Sequence, residues 1–105
     1  LPIVKPYQDQ DSYSALHLYP IQIDLEKIDK NRKQIFDELR QNGIGVNVHY
    51  IPIHTQPYYL QFGFKEGNFP NSEYYYSRTV SIPLFHTMTL EQQDEVVIVL
   101  NNILK

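Results

Sequence analysis

Punctuation constrains this chain more than any other feature. Seven prolines and four glycines cut it into short segments, and several stand where an apolar run stops. Pro20, Pro52 and Pro83 each interrupt or close a β-branched stretch, because proline lacks the amide proton that a sheet ladder needs. Gly43 follows an amphipathic stretch, where a left-handed residue ends a helix. Pro57 stands where proline opens a helical turn. Such a chain folds as short strands and short helices. With 105 residues it has room for one domain and a single modest core.

Residues 1–12 read as an extended, partly disordered connecting arm, because Pro2, Pro6 and the polar run Gln8–Ser12 leave little to bury. The alternation over Tyr13–Ile23 predicts a strand, with a bulge or edge position at Pro20. Asp29 is a candidate N-cap for a helix over about residues 30–42, whose apolar stripe is Ile35, Phe36 and Leu39. The nearly continuous β-branched run Ile44–Ile51 predicts a second strand covered on both faces. A helical turn follows at Tyr58–Leu60, then a loop around Phe62, Phe64 and Phe69. A helix is expected over Pro70–Arg78 and a strand over Thr79–Ile82. Thr89-Leu90-Glu91-Gln92 forms a capping box that opens a last helix to about Ile103. The expected fold class is α+β: a two-layer sandwich with a small, mostly antiparallel three-stranded sheet and helices on one side.

Composition removes several functions. The net charge of −3 and the single interrupted basic cluster, Lys27 to Lys33, argue against nucleic acid. No cysteine is present, which removes disulfides, thiol nucleophiles and cysteine-based zinc sites, and is compatible with a reducing cytoplasm. No apolar run reaches the ~18 residues of a membrane span. The first residues do not read as a signal peptide, and the lack of an initiator Met suggests an excised or processed piece.

The segment richest in chemistry is Gly43–His54. Asn47, His49, Tyr50 and His54 place a carboxamide, two imidazoles and a phenol at the end of the expected strand. Such groups can hydrogen-bond sugar hydroxyls or an acetamido group while a rigid sheet holds them. A structural, hydrogen-bonded role for either histidine stays open beside that reading. His17, His49, His54 and His86 do not assemble a metal site by spacing, so no metal is expected. Tyr74-Tyr75-Tyr76 cannot line one surface of a helix, because successive residues point about 100° apart. One tyrosine in the core and two on the flanks is the expectation. No phosphate loop and no nucleophile elbow occur. None of the six lysines, Lys5, Lys27, Lys30, Lys33, Lys65 and Lys105, lies in an apolar context that would make it a Schiff-base nucleophile. No residue of this chain is therefore assigned a catalytic role.

Three stretches carry a family resemblance: His17-Leu18-Tyr19-Pro20-Ile21, Asp37 to Tyr59, and Phe69 to Leu100. Together they resemble the C-terminal segment of the DegT/StrS-type sugar aminotransferases, pyridoxal-phosphate (PLP) enzymes of the aspartate-aminotransferase fold type. The likeness is greatest to those that aminate C4 of a UDP-linked 4-keto-6-deoxy-N-acetylhexosamine in the pseudaminic acid pathway. The specific part is the Gly43–His54 block followed by Ser81-Ile82-Pro83-Leu84. The resemblance implies that residues 13–105 are the small C-terminal domain. The Schiff-base lysine and most PLP contacts would lie upstream, so the chain alone is expected to bind no PLP and not to turn over. It implies a homodimeric, cytoplasmic full-length enzyme that takes a nucleotide-sugar substrate and an amino donor, expected to be glutamate, in glycan or polysaccharide biosynthesis. The family's H-Y-x-P-x-H stretch falls on His49, Tyr50, Pro52 and His54. His49, Tyr50 and His54, with Asn47 added, are therefore the substrate-side candidates, and His17 is expected to be structural. A free-standing carbohydrate- or nucleotide-sugar-binding module is the alternative.

Overall fold

The computed structural model describes residues 1–105. Its sheet has three antiparallel strands in the order β1 (Ile3–Val4), β2 (Tyr19–Ile23), β3 (Thr79–Ile82). The helices are α1 (Arg32–Gln41), α2 (Pro57–Leu60), α3 (Pro70–Arg78) and α4 (Leu90–Ile103). This is the expected α+β class: β3 has its expected bounds, β2 is the second half of the expected Tyr13–Ile23 strand, and β1 stands where no strand was expected.

β2 occupies the middle of the sheet, with Ile21 opposite Val80 and Pro20 opposite Ser81. Pro20 makes no bulge. Ser81 turns both its N–H and its C=O away from β2, to Asn47, so a proline opposite it removes no ladder bond. The expected strand over residues 13–18 is not one. β3 ends at Ile82, opposite Tyr19, and β1 is only two residues long, so the residues before Tyr19 have nothing to pair with. The Ile44–Ile51 run is not a full strand either; it makes one bridge, Asn47 to Ser81. β3 offers four residues before Pro83, and that edge is too short for a longer ladder. The third strand comes instead from Ile3–Val4, within the expected arm, which pairs with Ile23 and Gln22.

The helices follow local signals closely. α1 opens on Asn31 rather than Asp29: Asn31 Oδ1 accepts from the Gln34 amide, and Gln34 Oε1 accepts from the Asn31 amide. Only Asn31 has a glutamine three residues on to complete that box. Gly43, at φ +79°, ends α1 while the Ile44 amide bonds Leu39 O at 2.9 Å, the usual left-handed stop. Thr89 and Gln92 form the expected box on α4. None of the three consecutive tyrosines reaches the core; Tyr74 is exposed and Tyr75 and Tyr76 are half-buried. Guanidinium groups cover the rings instead, Arg78 over Tyr74 and Arg32 over Tyr76, each 4.7 Å from the centroid.

The core lies between the sheet and the pair α1 and α4. Ile21, Ile23 and Val80 from the sheet meet Ile35 and Leu39 of α1 and Leu100 of α4. Ile44 and Val46 join the same cluster, so the failed strand is still pinned by burial. Lys30 locks the two helices together, donating to Glu38 Oε2 at 2.7 Å and to Ile103 O at 3.0 Å. No helix is long and apolar enough to cross a membrane.

Candidate functional site

The Asn47–His54 block leaves the core on two different supports. Its first half is docked on the outer edge of β3. Asn47 exchanges both backbone bonds with Ser81, at 3.1 and 2.8 Å. The Asn47 side chain turns back to accept from the Val48 amide at 3.0 Å. His49 Nδ1 lies 2.9 Å from Ser81 Oγ. Tyr50 meets the His49 ring edge-on at 4.7 Å and is otherwise 72% exposed. The peptide between them is cis. This half thus hangs from a fixed backbone, with the Tyr50 phenol exposed and the His49 ring half-buried against Ser81.

The second half is different. Pro52 is buried, and a turn over Ile53–Thr55 drives His54 inward to 6% exposure. Its ring stands edge-on to Phe69 at 4.8 Å. Its Nε2 is 3.3 Å from Glu73 Oε1, without hydrogen-bond geometry. Glu73 Oε1 also accepts the Gly67 amide at 2.6 Å. That amide, with help from His54, holds the Glu73 carboxyl below the usual carboxylate range. Glu73 thus ties the loop before α3 to α3 itself.

Above His54 opens a pocket of about 340 Å³ lined by Ile53, Tyr59, Phe64, Phe69 and Ser72. Its walls are aromatic and its polar groups few, which suits the flat face of a ring. Of the four expected site residues, the structure holds Asn47 and His49 on Ser81, sets Tyr50 against the His49 ring, and places His54 among the aromatics. Glu73, Phe69 and Ser81 were not read as site residues. Ser81 stood in a recognised motif, but nothing local marked Glu73, whose role depends on the loop that returns Gly67 to it.

His17 is exposed ahead of β2 rather than in a strand. No three His, Asp or Glu side chains come together as a metal site. The lysines do not fit PLP. Lys27, Lys30 and Lys33 are paired with Asp24, Glu38 and Asp37, and Lys5, Lys65 and Lys105 are exposed. PLP needs an amine facing a closed cavity, and none of the six provides one.

The architecture is a small antiparallel sheet backed by helices, with a polar-aromatic block on its edge. Residues 2–101 match the DegT/DnrJ/EryC1/StrS aminotransferase family, and the chain belongs to it. Among its relatives is the Bacillus subtilis spore coat polysaccharide biosynthesis protein SpsC. The two are 39% identical over 105 residues, 98% of this chain and 27% of SpsC. Spr1654 of Streptococcus pneumoniae, in its PMP form, superposes with a TM-score of 0.85 at 25% identity, over 97% of this chain and 26% of that one. Its structures also include a PLP form. Helicobacter pylori PseC, an aminotransferase involved in the biosynthesis of pseudoaminic acid, gives 0.74 at 27% identity, over 84% of this chain and 23% of PseC. The chain spans about a quarter of the length of these relatives.

Proposed function

We propose that this chain is the small C-terminal domain of a PLP-dependent aminotransferase. The full-length enzyme moves an amino group from glutamate to a nucleotide-linked 4-keto-6-deoxy sugar, as a cytoplasmic homodimer serving surface glycan synthesis. In this reading PLP supplies the amino-transfer chemistry when bound, on a lysine outside this chain. The chain's own task is to close the sugar-nucleotide side of the cleft with His49 and Tyr50, Asn47 supporting them. His54 sets the floor of the neighbouring aromatic pocket.

The observation that carries the reading is the Asn47–Tyr50 unit: the family motif covers its His49 and Tyr50, and the backbone bonds of Asn47 hold it to β3 with Tyr50 exposed and His49 half-buried. The test uses the full-length polypeptide, assayed for the visible absorbance of bound PLP and for glutamate-dependent amination of a UDP-4-keto-6-deoxy-N-acetylhexosamine. Both are expected. A full-length protein that binds no PLP would overturn the reading. The 105-residue chain alone is expected to show neither absorbance nor turnover. Saturable micromolar binding of UDP-N-acetylglucosamine by the chain alone would instead favour the free-standing module that an open aromatic pocket could serve.

A further inference from the structure

The two sequence blocks that carry the family likeness meet at one residue, Ser81. Its backbone N–H and C=O are both taken by Asn47. Its side chain is buried, and its hydroxyl has a single hydrogen-bonding partner, His49 Nδ1 at 2.9 Å. A hydroxyl carries one proton, which it must give to an acceptor or leave buried and unpaired. Nδ1 is the only acceptor within reach. When the hydroxyl donates there, Nδ1 keeps its lone pair and the neutral ring carries its proton on Nε2. His49 Nε2 makes no bond within the chain and is not among its buried polar atoms, so it opens to solvent. The opposite tautomer would strand the Ser81 proton in the interior and turn a lone pair outward.

We infer that Ser81 is a positioning residue: its hydroxyl selects the Nε2–H tautomer of His49 and aims that N–H outward, to donate to an acceptor oxygen of the ligand. This rests on the substrate-side reading of His49 and adds a direction to it. Neutral His49 then acts as a hydrogen-bond donor through Nε2 and not as a base. It also gives the Ser81-Ile82-Pro83-Leu84 block a task. The strand supplies an edge for Asn47 and, one atom beyond its backbone, the group that sets the imidazole.

The experiment labels histidine with 15N in the full-length polypeptide and assigns His49 by the signal lost in His49→Gln. At about pH 8, where histidine is mostly neutral, His49 is expected to show a protonated Nε2 and a lone-pair Nδ1. Ser81→Ala keeps both backbone bonds to Asn47, so the fold is retained. In that variant the two nitrogen shifts are expected to converge as the tautomers mix. KM for the nucleotide sugar is expected to rise about three- to tenfold with little change in kcat. A serine that only packs would leave the nitrogen shifts alone. UDP and N-acetylglucosamine, added separately, then locate the acceptor: a moved Nε2 signal with UDP assigns it to the diphosphate or base, and with N-acetylglucosamine to the sugar. A proton on Nδ1 in the unaltered protein, or shifts unchanged in Ser81→Ala, overturns the positioning role. A Ser81-dependent tautomer that neither compound perturbs overturns the substrate-side reading of His49 and leaves the tautomer assignment intact.

Discussion

The sheet with α1 and α4 and the lobe over residues 50–69 are equally apolar in sequence and opposite in burial. In the first region Ile21, Ile35, Leu39 and Val80 are sealed completely. In the second, Tyr50, Ile53, Tyr58, Phe62 and Phe69 stay largely exposed, and only Pro52 and His54 are buried. The lobe's rings touch one another instead, Tyr58 with Tyr59 at 5.1 Å and with Phe62 at 5.3 Å. The chain as a whole is correspondingly loose. Its radius of gyration is 15.5 Å, against about 13 Å for a compact domain of this length. The difference teaches where stability resides: one region holds the fold, and the other holds an apolar surface that these residues leave open, of the kind that marks interaction sites.

That contrast can be broken by substitution. Leu39→Ala removes a sealed side chain and should cost about 2–5 kcal/mol in urea unfolding. Thr89→Ala loses the α4 cap and should cost about 1 kcal/mol by the same measurement. Phe62→Ala, in the lobe, should cost below about 1 kcal/mol, since its ring is already in water. A lobe variant as damaging as Leu39→Ala would abolish the distinction.

Glu73 sharpens it, because that carboxylate holds the lobe's last loop to α3. Its folded pKa lies below its ordinary 4.5, mainly through the Gly67 amide and then through His54. The stabilisation is therefore complete above that ordinary value and fades as pH falls through the folded one. Glu73→Gln should be less stable than the parent at neutral pH, and the two thermal midpoints should converge in acid below it. A gap that is constant from neutral to acid pH would show that the ionised carboxylate contributes nothing.

Legibility in the sequence divided along physical lines. The bounds of α3 and the start of α4 followed from Pro70, Thr89 and Gln92, because caps act within one turn. Strand pairing did not follow, because a ladder depends on its partner's length. Ile44–Ile51 has every strand preference yet meets an edge of four residues, while Ile3–Val4, with almost no signal, finds the free side of β2. Within the site, the exposure of Tyr50 is in keeping with a motif at the end of an apolar run. The burial of His54 could not, since it is made by Phe69 and Glu73, far along the chain and brought back by the loop at Gly67.

The most direct test is hydrogen exchange on the full-length polypeptide with and without UDP-N-acetylglucosamine. The account predicts slower exchange in peptides covering residues 47–59, with those of α1 and α4 unchanged. Protection confined to α1 and α4, or none anywhere in this chain at saturating ligand, would contradict it.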